Sequence, residues 1–256
     1  MNNIELKKLL DELYFRYKKK HSSKDPVWNL HRLNDEKDVE ILGLITSAYS
    51  YGSVDQINRF ISALTDRTGF KLHEFTSNYS EHKDKKFLKG LHYRFNSEKD
   101  LSMLLINIKK VIINYGSLKN LFLEGYLNDD KNILNALNHF TVLFNNKQNK
   151  NIRTSYDYLV PSPENNSACK RLNLYLRWMI RKDEIDPGAW SGSIDKAKLI
   201  MPVDIHVYRI SKYLKMVNRK SCDLKFAVEL TEKLKLFDIT DPVKYDFALC
   251  HYQMEK

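Results

Sequence analysis

The stretch Leu199-Ile-Met-Pro-Val-Asp-Ile-His-Val-Tyr-Arg-Ile-Ser-Lys-Tyr-Leu214 decides how this chain is read, together with the run Lys170-Arg-Leu-Asn-Leu-Tyr-Leu-Arg-Trp-Met-Ile-Arg181 before it. An apolar approach ends at Pro202, a carboxylate follows at Asp204, and apolar residues then recur at 207, 210 and 214, the spacing of one helix face. Asp204 therefore stands at a helix start. A side chain there accepts backbone N–H bonds as an N-cap, the plainer of two roles. The sharper role is a carboxylate aimed into a cleft opposite Lys170. A lysine amine attacks an electron-poor carbon only when neutral, a form that burial and neighbouring positive charge favour. Lys170, followed by Arg171 at the start of an apolar helix, has both at hand; its plainer role is a basic residue opening a helix.

Outward from this pair, the spacing predicts helices at 4–20, 39–50, 54–64, 101–115, 117–126, 131–144, 167–180, 204–214, 223–236 and 242–254. The helix over 39–50 is apolar nearly all round and should be central and buried, with Asp35 or Asp38 as its cap. Gly116 is the expected C-cap of its helix, and Asp241 with Pro242 the start of the last. Polar breaks are expected at 22–26, 145–150 and 161–166, and residues 183–198, with Pro187, Gly188 and Gly192, should form an irregular connection. No strand alternation appears. The expected class is all-α, about ten helices in one unit over 1–256, with sub-domains 38–150 and 1–37 plus 151–256.

Composition bounds the partner. The 256 residues suffice to bury a core, and a formal charge of +10 favours a polyanion. Between 65 and 100, Lys83, Lys85, Lys86, Lys89 and Arg94 are interleaved with Phe87, Tyr93 and Phe95, a pattern that suits stacked bases and held phosphates as well as solvated helix faces. Cys169, Cys222 and Cys250 have no paired spacing, which excludes a disulfide framework, a zinc site and an iron–sulfur cluster from the expectation. No cofactor, signal peptide or membrane span is expected, and the compartment is expected to be the cytoplasm. Only eight glycines occur and none forms a phosphate loop, which disfavours an enzyme of small phosphorylated ligands.

The motif Pro202-Val-Asp-Ile-His-Val-Tyr-Arg209 resembles the Val-Asp-x-His-x-x-Arg helix start of the helix-hairpin-helix DNA glycosylases of the endonuclease III type. Gly43-Leu-Ile-Thr-Ser-Ala-Tyr-Ser50 resembles their buried N-terminal helix and loop, Gly90-Leu-His-Tyr-Arg-Phe-Asn96 their next turn, and Asp246 to Gln253 their closing helix. As a whole the chain resembles an uncharacterised bacterial group, the domain-of-unknown-function 2400 family, through Lys-Arg-Leu-Asn, Leu-Arg-Trp-Met and Pro-Val-Asp-x-His-Val. The glycosylase resemblance implies two helical layers around a cleft, with Asp204 assisting departure of a damaged base and Lys170 attacking the sugar to form a Schiff base. It implies a monomer acting on damaged duplex DNA, with Tyr49 filling the space of the extruded base. Arg94 and Arg171 are then candidates for phosphate, as are Arg177 and Arg181, whose i, i+4 face equally suits a salt-bridged surface, and His206 and Arg209, which could instead hold the Asp204 carboxylate or be structural. Trp178 or Trp190 could stack the flipped base, although a tryptophan in an apolar helix is an ordinary core residue.

The chain departs from that pattern twice. Leu159-Val-Pro-Ser-Pro-Glu-Asn-Asn166 replaces the glycine hairpin that grips phosphate, leaving Asn165 and Asn166 to supply left-handed backbone. Lys170 also precedes Asp204 by 34 residues, a longer separation than in the endonuclease III type and comparable to that of the archaeal 8-oxoguanine glycosylases. The alternative from another class is a non-catalytic nucleic-acid-binding module whose Lys170 and Asp204 form a structural ion pair.

Overall fold

The computed structural model describes residues 2–19, 24–145 and 154–254. Of the expected breaks, residues 22–23 and 146–150 lie outside the described residues, and the first ends where Pro26 opens a 3-10 segment. In chain order the α-helices are α1 (Asn3–Tyr17), α2 (Glu36–Ala48), α3 (Val54–Arg67), α4 (Leu72–Asn78), α5 (Glu81–Leu88), α6 (Glu98–Tyr115) and α7 (Leu118–Glu124). They continue as α8 (Leu134–Asn145), α9 (Ser155–Leu159), α10 (Lys170–Ile180), α11 (Ile205–Tyr213), α12 (Leu224–Lys235) and α13 (Asp246–Met254). No strand occurs among the described residues, so the class is all-α as expected. Two compact units share these helices. The first comprises Met1–Ser23, Lys131–Ile133 and Ser162–Lys256, the second Lys24–Asp130 and Leu134–Pro161.

The second unit is built on α2. Asp35 Oδ1 accepts the Lys37 N–H at 2.7 Å and starts the helix, while residues 39–48 are all buried. Leu42, Leu44 and Ile45 have no exposed surface, and burial of such a side chain stabilises by about 1.5–3 kcal/mol. Asp38 caps nothing on α2; its carboxylate accepts the His73 N–H at the start of α4. Glu40 is the one charged residue in the buried stretch, and its oxygens take the Leu118 and Lys119 N–H groups, at 3.2 and 2.9 Å, at the N-terminus of α7. A buried carboxylate is tolerated there because a helix N-terminus supplies both donors and positive potential. Around this centre, the 3-10 segment Pro26–Arg32 packs on α2 and α3, α4 and α5 on α6, and α9 on α6. These contacts place residues 24–37 and 154–161 with the central helices and not with the termini, where the expected sub-domain boundaries had them.

In the first unit, α1 lays Leu6, Leu10, Leu13 and Tyr17 inward and packs on α13, which also packs on α11. Helix α10 is buried along 171–180. The last expected helix is divided. Pro242–Tyr245 forms a 3-10 turn before α13 begins, and Asp241 makes no side-chain capping bond, because its carboxylate is engaged by Arg181 and Lys196.

Candidate active site

The candidate site lies in the first unit, where the N-terminus of α10 meets that of α11. Two non-glycine residues with left-handed backbone bring the chain into α10: Asn166 at φ +55° and Cys169 at φ +46°. Asn166 thus adopts the geometry that its residue type permits at low cost, whereas Asn165 belongs to the 3-10 turn Pro163–Asn165. For Cys169 the conformation is strained. It is held by the Cys169 N–H donated to Ser167 Oγ at 3.1 Å and by Asn173, whose N–H bonds Cys169 O and whose Nδ2 bonds Ala168 O, both at 2.9 Å. Lys170 follows as the first helical residue. Burial pushes the Cys169 thiol up to about 11, so it is no nucleophile at neutral pH.

Asp204 fills both of the roles open to it. Its Oδ1 accepts the His206 and Val207 N–H groups, each at 2.9 Å, as the cap of α11. Its Oδ2 lies 3.9 Å from Lys170 Nζ, and the two side chains are 23% and 27% exposed. At that separation the contact is a loose ion pair and not a hydrogen bond, and the remaining exposure leaves the amine reachable.

Behind this pair stands a residue whose role sequence patterning missed. Asp246, the first residue of α13, is buried. Burial pushes its carboxyl up to about 6; the Arg177 guanidinium opposes that rise, the Asp204 charge adds to it, and the Lys170 charge opposes it. Asp246 therefore shares the local field of both site residues. The signal in the sequence is an aspartate just after a proline-opened turn, four residues beyond Pro242.

Arg177 and Arg181 are corrected. Of the two roles open to their shared face, phosphate contact and salt bridging, both fill the second, and both are buried, at 3% and 4% exposure. Arg177 donates from Nε and Nη2 to Asp186 Oδ1 at 3.1 and 3.0 Å and from Nη1 to Asp246. Arg181 donates from Nε to Asp241 at 2.9 Å, from Nη2 to Asp183 at 2.8 Å and from Nη1 to Asp186. Their i, i+4 spacing places them on one face, but that face meets the carboxylates of the 183–186 loop, Asp241 and Asp246. Burial pushes the Asp186 carboxyl up even between two arginines, whereas Asp183 is held below the usual range by Arg181 in spite of burial.

Other expected site residues are dispersed. His206 is half-buried and Arg209 exposed on α11, Asn165 and Asn166 are exposed, and Arg171 is buried. Trp178 and Trp190 are core residues at 1% and 2% exposure. Arg94, exposed, and Tyr49 belong to the second unit. Tyr49 is corrected as well: it is 1% exposed, packed on Phe60 with ring centroids 4.4 Å apart, and reaches no surface from which to fill a gap in DNA. A groove of about 420 Å³ in the second unit is lined by three bases, Arg67, Lys71 and Lys83, and two acids, Glu74 and Asp84, so its acids offset most of its positive charge. Among the described residues no cluster of His, Cys, Asp and Glu is arranged to hold a metal ion, and no helix is long and apolar enough to cross a membrane.

The chain belongs to the family described as Protein of unknown function (DUF2400), whose model matches residues 25–255. No curated protein and no solved structure matches it.

Proposed function

We propose that the chain is a helix-hairpin-helix type DNA glycosylase with associated abasic-site lyase chemistry, in which Lys170 is the nucleophile and Asp204 its electrostatic partner. The observation that carries this reading is the partly open amine 3.9 Å from a carboxylate whose other oxygen is fixed by two backbone N–H groups. The damaged nucleotide rotates out of the duplex at a cost of a few kcal/mol, smallest for lesions and mispairs. Lys170 gives its proton to solvent and, as the neutral amine, forms a bond from Nζ to the sugar C1′. The C1′–N bond breaks and its electron pair leaves with the base, which takes up a proton. Asp204 stays ionised and stabilises the positive charge that builds on the sugar. Opening of the sugar ring gives an imine between Nζ and C1′, from which the 3′ phosphate departs by elimination.

The capping of α11 by Asp204 Oδ1 favours a second reading, a nucleic-acid-binding module in which Lys170 and Asp204 form a structural ion pair. Borohydride trapping on duplexes carrying oxidised, deaminated, alkylated and abasic sites separates the two. A covalent adduct on one lesion class that disappears in Lys170→Ala is the expected result. Absence of any adduct, with salt-sensitive DNA binding retained, supports the binding module.

A further inference from the structure

In the second unit three aromatic side chains from separate segments meet at the surface. Tyr51 and Phe95 stack with centroids 5.3 Å apart, and Tyr158 meets each ring edge to face, at 5.0 and 4.9 Å. Phe95 is 54% and Tyr158 45% exposed. Exposed aromatics scattered singly need no explanation; a mutually packed, open group does.

The group is held from beneath. Tyr51 donates its hydroxyl to Asn96 Oδ1 at 2.5 Å, with Tyr93 O 3.2 Å from the same oxygen, and Tyr93 donates its hydroxyl to Tyr51 O. Asn96 is buried and donates to Ser155 O at 2.9 Å, while Ser155 donates to Asp100 at 2.7 Å. The three segments therefore present their rings as one rigid face.

Arg94 sits at the edge of that face. Its backbone is left-handed at φ +54°, a strained state for arginine that a simple surface turn would leave to glycine or asparagine. Its guanidinium lies 5.8 Å from the Tyr51 ring centre and crosses Gly52, where an added Cβ would come within 2.5 Å of Nη1. Arg94 is exposed and forms no ion pair among the described residues.

We infer that Tyr51, Phe95, Tyr158 and Arg94 form a stacking platform for unpaired bases of single-stranded DNA, with Arg94 holding the adjoining phosphate. Charge complementarity selects this occupant: a cation with no ion-pair partner among the described residues borders the rings on a chain of net charge +10, and the combination of exposed rings with a basic edge is what sequence-tolerant binding of single strands uses. The inference rests on the reading that the chain handles DNA but not on chemistry at Lys170.

The test is anisotropy titration of labelled oligo-dT against the full chain over a salt series, for wild type, Phe95→Ala, Tyr158→Ala, Phe95→Trp, Arg94→Ala and the exposed control Ile113→Ala. Phe95→Ala and Tyr158→Ala should each weaken binding about tenfold with the salt slope unchanged. Phe95→Trp should bind as wild type, and Arg94→Ala should lower the salt slope by about one. Photocrosslinks from iodo-deoxyuridine should map to the platform rings. Wild-type affinity in both alanine variants, crosslinks elsewhere, tighter binding of oligo-rU than oligo-dT, or a wild-type dimer that Phe95→Ala dissociates would each overturn the platform. If the alanine variants bind normally while lesion duplexes still give a Lys170 adduct, the platform fails and the glycosylase reading stands. If the variants lose binding and no lesion gives an adduct, the platform stands alone.

Discussion

Helix α10 carries two kinds of charge pairing, one at each end. At its C-terminal end Arg177 and Arg181, with side chains 3% and 5% exposed, are matched by Asp183, Asp186, Asp241 and Asp246 through short, multiply bonded contacts. At its N-terminal end Lys170 faces Asp204 across 3.9 Å with about a quarter of each side chain exposed. The same charges thus serve different ends. A sealed network fixes where the 183–186 loop and α13 lie, and breaking it strands buried carboxylates. A loose, partly exposed pair contributes little to stability, which is what the proposed role of Lys170 as nucleophile requires.

The contrast can be broken first through stability. Arg177→Met leaves Asp186 and Asp246 without a shared guanidinium and should cost about 3–5 kcal/mol, read as a lower denaturant midpoint. Lys170→Met, measured in the same way, should cost less than about 1 kcal/mol. Equal losses in the two variants would mean that the N-terminal pair is as structural as the network.

Asp204→Asn sharpens the comparison from the chemical side. Asparagine is as good an N-cap as aspartate, so folding should be nearly unchanged, while removal of the charge should slow adduct formation by about 10²–10³-fold. An unchanged rate, followed by quenched-flow trapping, would restrict Asp204 to capping.

Asp246 joins the two ends and supplies a pH signature. Its folded carboxyl titrates at about 6, above the ordinary value of 3.8, so the folded state binds this proton more tightly than the unfolded chain does. Its contribution to stability is therefore fully present below about 3.8 and is lost as pH rises through about 6, a change on the order of a few kcal/mol. Asp246→Asn should flatten that part of the stability profile, seen in urea midpoints between pH 4 and pH 7 (about the span of the two values). A profile parallel to wild type would place the titration elsewhere.

The smallest effect expected is at the entrance to α10. Asn166 holds φ +55°, which glycine adopts freely, so Asn166→Gly should change stability by no more than about 1 kcal/mol. A larger loss would show that the Asn166 side chain, which adds to the Arg219 guanidinium in holding the Asp223 carboxyl well down, matters more than its backbone.

How much of this was legible beforehand follows the range of each interaction. Helix α2 was readable because an apolar run with a capping aspartate is a local signal, and Asp204 because its cap is made by N–H groups two and three residues on. The Lys170 and Asp204 pairing came from motif resemblance, since no periodicity relates positions 34 residues apart. The fate of Arg177 and Arg181 was hidden: their spacing fixes a shared face, but the neighbours of that face arrive from positions 183, 186, 241 and 246. Tyr49 and Tyr51 make the same point within three residues, since the end of α2 turns one ring into the core and leaves the other at the surface.

The measurement that tests the central claim most directly is peptide mapping of the borohydride-reduced protein–DNA adduct. The account predicts a single modified residue, Lys170, in wild type, with the same site modified more slowly in Asp204→Asn. An adduct on another lysine, or an adduct that persists in Lys170→Ala, would contradict it.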